Sequence, residues 1–155
     1  MLIEYNAPNC FESPVCSKVF SMSSTLPIQV DLALNRTRRK DSGNGGFPEV
    51  ITNLPEAEVT CQGSKAWILQ AEFMQMVFFE FQEGGRVTGH SHSYSQWGMV
   101  IDGTMELTVD GKPKMFRKGE EYLVPAGANH SAKFPCKTRI VDLFCEKERY
   151  KTKKV

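Results

Sequence analysis

The sequence has few histidines, only three, and lacks the features that define several large classes of protein. Its longest apolar runs, such as residues 76–79, are far too short to cross a bilayer, and no apolar leader segment follows Glu4 near the N-terminus. The five cysteines are odd in number and include no CxxC pair, which argues against a disulfide framework and suits a reducing compartment. A net charge of +1 argues against a general binder of polyanions. We therefore expect a cytoplasmic protein that binds neither membranes nor nucleic acid.

Basic residues are concentrated in two places, at residues 36–40 and 147–154. Neither cluster has interleaved aromatic residues or a nucleic-acid motif, so we interpret both as solvated segments. The 155 residues, of which 41% are hydrophobic and 24% charged, suffice for one globular domain with a substantial core.

Residues 1–46 are predicted to be an extension outside that core. They are rich in Ser, Asn and Pro, and they end in the linker-like sequence DSGNGG at residues 41–46. Within them, residues 27–34 (PIQVDLAL) could form a strand or a short helix. An alternative is that the extension is an arm exchanged across a dimer. The folded domain is then expected over residues 47–155.

From residue 47 onward the pattern is typical of β-structure. Residues 104–110 (TMELTVD) alternate in polarity, and Asp-Gly pairs at 102–103 and 110–111 are typical hairpin turns. The candidate strands are residues 65–72, 74–82, 87–93, 96–101, 104–109, 114–117, 121–124, 131–134 and 139–146. Many short strands at regular spacing, with no long helical period, predict an all-β sandwich or barrel.

The three histidines fall in two glycine-bounded segments of this β-rich region. If His90 and His92 lie on one strand, the two-residue period points both rings to the same face. Gln96 has the same parity and could share that face if the strand resumes after a local bend, and His130 must arrive from another strand. Any one histidine alone would usually be a core residue. Three imidazoles and an amide oxygen together favour a site for a divalent transition metal.

These segments also resemble the two sequence motifs of the cupin family. Residues 84–103 (G-x5-H-x-H-x3-Q-x6-G) resemble the first, with Gln where Glu is usual, and residues 119–130 (G-x5-P-x-G-x2-H) resemble the second. The resemblance implies an all-β cupin double-stranded β-helix, an RmlC-like jelly-roll barrel at about residues 65–146, following the N-terminal extension. It also implies a homodimer and a bound metal such as zinc, nickel, manganese or iron. The implied ligands are His90, His92, Gln96 and His130.

Gln96 has a chemical consequence if it is a ligand. A neutral amide leaves the metal its full +2 formal charge, which favours Lewis-acid chemistry over the oxygenase chemistry often associated with Glu at this position. An iron-dependent dioxygenase is not excluded, because three histidines alone can hold iron.

A narrower resemblance is to the cupin proteins of pectin degradation, which act on 4,5-unsaturated uronic acids. It is carried by residues 90–98 (HSHSYSQWG), 125–133 (PAGANHSAK) and 140–144 (IVDLF). The DxF pair of the last strand in that family falls on Asp142 and Phe144. The arginine expected shortly afterwards is displaced, because Glu148 occupies its position and Arg149 follows.

The resemblance leads to a functional hypothesis: a metal-dependent enzyme that isomerises or hydrates a small sugar acid. Asp142 would shuttle a proton, and Arg149 or Arg86 would pair with the substrate carboxylate. Tyr94 and Phe144 would line the substrate pocket with Arg86. The alternatives are a non-catalytic cupin that binds a metal and a small molecule, and an iron-dependent dioxygenase.

Overall fold

The structure is a computed structural model and describes residues 45–154. The predictions for residues 1–44, including the element at 27–34 and the dimer arm, lie outside this range. One short helix, α1, spans Glu49–Thr52 directly after Pro48, in a segment whose surroundings had indicated β-structure. The strands are β1 Lys65–Gln70, β2 Gln75–Phe81, β3 Arg86–His90, β4 Gln96–Asp102, β5 Thr104–Val109, β6 Lys112–Arg117, β7 Glu121–Val124, β8 His130–Lys133 and β9 Thr138–Phe144.

The strands form two antiparallel sheets around a common core. A five-stranded sheet has the order β1-β2-β9-β4-β7, and a four-stranded sheet has the order β3-β8-β5-β6. Buried side chains of both sheets, among them Phe79, Met105 and Leu107, belong to one hydrophobic cluster. This arrangement confirms the predicted all-β jelly-roll fold. Gly103 and Gly119 have φ of 82° and 84°, as expected for the tight turns that connect the strands.

The register of the five-stranded sheet aligns its inward-facing residues in rows across the strands. One row contains Gln75, Phe144, Gln96 and Val124, on β2, β9, β4 and β7. The next contains Val77, Asp142, Gly98 and Tyr122 on the same four strands. Polar side chains are thus placed on the concave side of a largely apolar sheet, which is where a jelly roll holds its site.

The outer face of the same sheet contains apolar rows beside charged residues such as Glu80 and Glu121. One row across all five strands, here called the outer apolar row, contains Leu69, Met76, Leu143, Trp97 and Leu123. Trp97 lies on the face opposite Gln96, as strand alternation predicts. Leu69 and Leu123 are 47% and 49% exposed. Phe47 covers part of the neighbouring row, where it packs edge-on against Trp67 and Phe78.

Residues 145–154, here called the C-terminal strap, follow the last strand. Near its end the strap pairs with an earlier segment, since Glu58 N donates to Lys151 O and Lys153 N donates to Glu56 O, both at 2.8 Å. Among residues 45–154, no helix is both long and apolar enough to span a membrane.

Candidate metal and anion site

The three histidines converge between the two sheets. His90, the last residue of β3, lies directly opposite His130, the first residue of β8, with ring centroids 4.2 Å apart. The His92 ring lies 4.8 Å from that of His130. One nitrogen from each ring can lie within 4.8 Å of the others, which brings all three within reach of one ion.

The route by which His92 reaches the site differs from the prediction. We expected one strand to carry both His90 and His92, but β3 ends at His90, and His92 lies in the turn that leads to β4. The strand ends before His92 and the chain bends at residues 93 and 94, so the two-residue period of a strand does not place His92. The expected resumption of the strand at Gln96 is confirmed, since β4 begins there.

Each histidine is held by a hydrogen bond from its Nδ1 to a backbone carbonyl two residues away. The distances are 2.9 Å for His90 to Thr88, 2.6 Å for His92 to Tyr94 and 3.0 Å for His130 to Ala128. A carbonyl oxygen only accepts, so Nδ1 carries the hydrogen and Nε2 keeps its lone pair. Burial also lowers the pKa of His130, which favours the neutral ring. This is the state in which imidazole binds a metal.

Gln96 adds a fourth donor atom. Its Oε1 lies 3.2 Å from Nε2 of His92, although neither atom carries a hydrogen when Nδ1 of His92 is protonated. The amide nitrogen is engaged elsewhere, since Gln96 hydrogen-bonds the Asp142 carboxylate through its side chain. With His92 neutral, the two lone pairs can bind one cation. The donor set of three imidazoles and one amide oxygen therefore fits a divalent transition metal.

Asp142 lies in the floor of the site and is only 4% exposed. The Tyr122 hydroxyl donates to its Oδ1 at 2.6 Å. Burial raises the pKa of Asp142 to about 7, and the hydrogen bonds from Tyr122 and Gln96 limit that rise. The carboxylate therefore holds the Gln96 amide in the orientation that presents Oε1 to the histidines.

Gly98 makes this arrangement possible. It lies between Asp142 and Tyr122 in the inward row, on the strand that separates theirs. A Cβ at this position would lie 2.2 Å from Asp142 Oδ1 and 2.3 Å from the Tyr122 ring. The two side chains meet in the space that the missing side chain leaves open, which is a common reason for a glycine inside a strand.

Arg149 brings a positive charge to the histidines. Its Nη2 lies 3.2 Å from Nε2 of His90, and its guanidinium lies over the rings of Phe144 and Tyr150, at 5.8 and 4.8 Å. Its Nε is buried without a hydrogen-bond partner, and among residues 45–154 no carboxylate forms a salt bridge with it. The side chain as a whole is only partly buried, and its charge interacts with that of Asp142. The unpaired Nε–H and the positive charge make this place suited to an anion.

Two cavities meet at His90 and Arg149. The inner one has a volume of about 50 Å³, and its lining also includes His130, Gln96 and Asp142. The outer one has a volume of about 700 Å³, and its lining also includes Arg86 and residues 58–61. The inner cavity has room for an ion or a water molecule, whereas the outer one is of the size that binds small organic ligands.

The predicted pocket residues lie in different places. Phe144 lines the inner cavity and packs edge-on against the His92 ring, with centroids 6.3 Å apart. Arg86 is exposed on β3 and lines the outer cavity. Tyr94 stacks on His92 at 4.4 Å and supports that ring, but it belongs to the lining of neither cavity. Its contact with substrate stays a prediction.

Three residues that shape the site are absent from the sequence-based prediction: Gly98, Tyr122 and Gln75. A glycine within an otherwise apolar strand was a signal for Gly98. Tyr122 and Gln75 gave no local signal, because their partners lie on other strands or in the C-terminal strap.

Comparisons with known proteins agree with this architecture. A sequence model described as the cupin domain matches residues 77–144. The fold is similar to that of an RmlC-like cupin from Shewanella frigidimarina, which is 28% identical, with 70% of this chain and 94% of that chain covered and a TM-score of 0.57. It is also similar to KdgF from Halomonas sp., at 23% identity, 60% and 86% coverage and a TM-score of 0.55.

A salicylate 1,2-dioxygenase from Pseudaminobacter salicylatoxidans is 16% identical, with 57% of this chain and 27% of that chain covered and a TM-score of 0.53. At such identities, this structure and that of KdgF show a shared fold and do not assign an activity. No curated protein matched the chain in sequence. The family match, the jelly-roll fold and the three-histidine cluster together confirm the resemblance to the cupin superfamily.

Proposed function

We propose that the protein is a metal-dependent enzyme that binds a small sugar acid and isomerises or hydrates it. The observation that carries this proposal is the position of Arg149. In the metal-free site its guanidinium contacts Nε2 of His90, the atom that would bind the metal, and its Nε is buried without a partner. A bound metal would replace the contact with His90 and leave the guanidinium beside the site. A substrate carboxylate would supply a counter-charge and accept two parallel hydrogen bonds from the guanidinium.

The two cavities support a division of the site. A sugar acid is too large for the inner cavity of about 50 Å³, whereas the outer cavity of about 700 Å³ can hold it. The carboxylate end would lie against Arg149 and His90, where the cavities meet. Arg86, on the wall of the outer cavity, is available for the distal part of the substrate.

The residues of the inner cavity, together with His92 beside it, would carry the chemistry. His90, His92, His130 and Gln96 would hold a divalent metal, which when bound supplies a Lewis acid next to the substrate oxygens. Asp142 lines this cavity, and its carboxyl group would accept or return a proton during hydration or ring opening. The Tyr122 hydroxyl keeps that carboxyl group in place.

A 4,5-unsaturated uronate is the substrate class we propose. The HSHSYSQWG, PAGANHSAK and IVDLF segments resemble those of cupins of pectin degradation, and KdgF, a protein of that process, shares the fold. The substrate carries the carboxylate that Arg149 would bind. A cytoplasmic location accompanies this proposal, supported by an odd number of cysteines without a CxxC pair.

The test is incubation of protein loaded with zinc, nickel or manganese with an unsaturated uronate. Turnover appears as loss of the ultraviolet absorbance of the conjugated double bond, and we expect Arg149→Met to reduce it far more than Arg86→Met. Binding without turnover would support a non-catalytic cupin instead. Oxygen uptake that depends on iron(II) would support a dioxygenase.

We further propose that the protein is a homodimer that packs through the outer apolar row. The row crosses the whole five-stranded sheet and contains no charged residue. Two identical copies can therefore pack on it about a two-fold axis without like-charge repulsion. Its exposed leucines would be covered in such a dimer, as is usual for apolar patches of this kind.

A further inference from the structure

We infer that Gln75 is a positioning residue, which fixes the register of the C-terminal strap and thereby aims Arg149 at the histidines. The anion-binding role of Arg149 rests on the proposed function, whereas the position of Arg149 does not.

The side-chain amide of Gln75 hydrogen-bonds the strap through both its oxygen and its nitrogen. Oε1 accepts a hydrogen bond from Tyr150 N at 2.9 Å, and Nε2 donates to Tyr150 O at 3.0 Å. The second hydrogen of Nε2 goes to Gln70 Oε1 at 2.8 Å. The Gln75 side chain is only 2% exposed, and its bonds to Tyr150 and Gln70 are partly shielded from water. The amide thus pairs with one strap residue as a neighbouring strand would.

The two bonds between Gln75 and Tyr150 determine which strap residue faces the histidines. Tyr150 is fixed by Gln75, and its ring packs against Phe79 and Phe144, with centroids 5.4 and 5.7 Å away. Arg149, one residue earlier, then reaches His90. A slip of the strap by one residue would bring Glu148 toward this position and reverse the sign of the charge there.

The register matters particularly in this chain. The resemblance to cupins of pectin degradation places an arginine where this sequence has Glu148, with Arg149 one residue later. When Gln75 binds Tyr150, the preceding residue of the strap faces His90, and in this chain that residue is Arg149. The register of the strap at Tyr150 therefore decides whether Glu148 or Arg149 faces His90.

The other strap contacts act on the Tyr150 ring or on the backbone of other strap residues. The backbone bonds between residues 56–58 and 151–153 hold the strap beyond Tyr150, and Cys145 N donates to Ser95 O at 3.4 Å well before Arg149. Loss of the Gln75 amide should leave the strap attached at both places and free the residues between them.

The first test is nuclear magnetic resonance of the metal-free protein. Gln75→Met keeps the volume and apolar contacts but leaves Tyr150 without its two side-chain bonds. We expect exchange of the Tyr150 amide hydrogen to rise at least about tenfold. We also expect the Arg149 Nε–H signal to lose its protection. The matched control is Gln70→Met, which removes the partner of Gln75 outside the strap and should leave both signals protected.

The second test measures affinity for galacturonate in the zinc-loaded protein by calorimetry. We expect Gln75→Met and Arg149→Met each to weaken binding by about tenfold, and the double variant to be no weaker than Arg149→Met alone. Gln75→Asn, whose amide is too short to reach Tyr150, should behave like Gln75→Met if the latter does not fold.

The outcomes separate the two ideas. An unchanged Arg149 Nε–H signal in folded Gln75 variants would overturn the positioning role, and so would fully additive losses of affinity. Galacturonate affinity that is insensitive to Arg149→Met would instead overturn the anion site. In that case the nuclear magnetic resonance test still decides whether Gln75 positions Arg149.

Discussion

Tyr122 donates its hydroxyl hydrogen to Asp142 across the strand that separates them, at an O···O distance of 2.6 Å. The bond passes over Gly98 and links β7 to β9 across β4. Asp142 in turn holds the amide of Gln96, which faces the histidines. A polar chain therefore runs from the sheet floor to the candidate metal site, and its integrity can be tested link by link.

Tyr122→Phe should destabilise the protein, because it removes a hydrogen bond from a carboxyl group that is almost completely buried. We expect the free energy of unfolding to fall by ~1–3 kcal/mol, the usual cost of a buried polar group that loses a partner. Denaturant unfolding of the metal-free protein measures the change. Tyr94→Phe is the control, since it removes a hydroxyl from a half-buried ring outside this bond. Equal stability of both variants would contradict the importance of the Tyr122–Asp142 contact.

Gly98→Ala should disrupt the same contact by steric overlap. The added Cβ would lie 2.2 Å from Asp142 Oδ1, so the tyrosine and the carboxyl group must separate. We expect a loss of stability of ~1–3 kcal/mol and weaker metal binding, because Gln96 loses its fixed partner. Gly89→Ala is a suitable control, since its Cβ would meet only an Asn129 oxygen at 3.5 Å. Full metal affinity in Gly98→Ala would show that the polar chain does not orient Gln96.

Much of the fold and of the ligand set could be predicted from local signals. The alternation of residues 104–109 and the Asp-Gly turns gave β5 with its observed bounds, and the histidine spacing gave the cluster. The path of His92 could not be predicted, because a strand period says nothing about a bend within it. The contact between Tyr122 and Asp142 depends on strand order, and the grip of Gln75 on Tyr150 joins residues 75 positions apart. Such pairings are fixed by the assembled sheets.

The ligand set predicts a graded loss of metal. His92→Ala removes one of the three imidazoles and should abolish near-stoichiometric metal binding, whereas Gln96→Ala should weaken it, since an amide oxygen is the weaker donor. Elemental analysis after dialysis against a fixed zinc concentration measures both. The metal contents of the two variants can be compared directly, because His92 Nε2 and Gln96 Oε1 lie 3.2 Å apart in the same site. Equal metal content in both variants and the parent protein would show that neither His92 nor Gln96 is a ligand.

The outer apolar row predicts the oligomeric state. Leu123→Lys puts a charge into the proposed interface, because Leu123 is the member of the row on the edge strand β7 and is 49% exposed. We expect a monomer in light scattering where the parent protein is a dimer. Met115→Lys is the matched control, since Met115 is 37% exposed on β6 of the other sheet. A monomeric parent protein, or a dimer that tolerates Leu123→Lys, would refute this interface.

Gln96→Glu should separate metal affinity from activity. In the metal-free protein, the new carboxyl group faces Asp142, where the amide had donated a hydrogen bond. Two buried carboxyl groups repel or share a proton, so the melting temperature should fall below that of the parent protein. Zinc should raise it by more than in the parent protein, because an anionic ligand binds the cation more tightly and binding stabilises the native state. Thermal unfolding with and without zinc measures both effects, with Gln70→Glu at an exposed position as control.

If the proposed uronate chemistry depends on a metal of full formal charge, turnover should fall in Gln96→Glu although zinc binds more tightly. Turnover that rises together with zinc affinity would show that the amide was not selected for Lewis acidity.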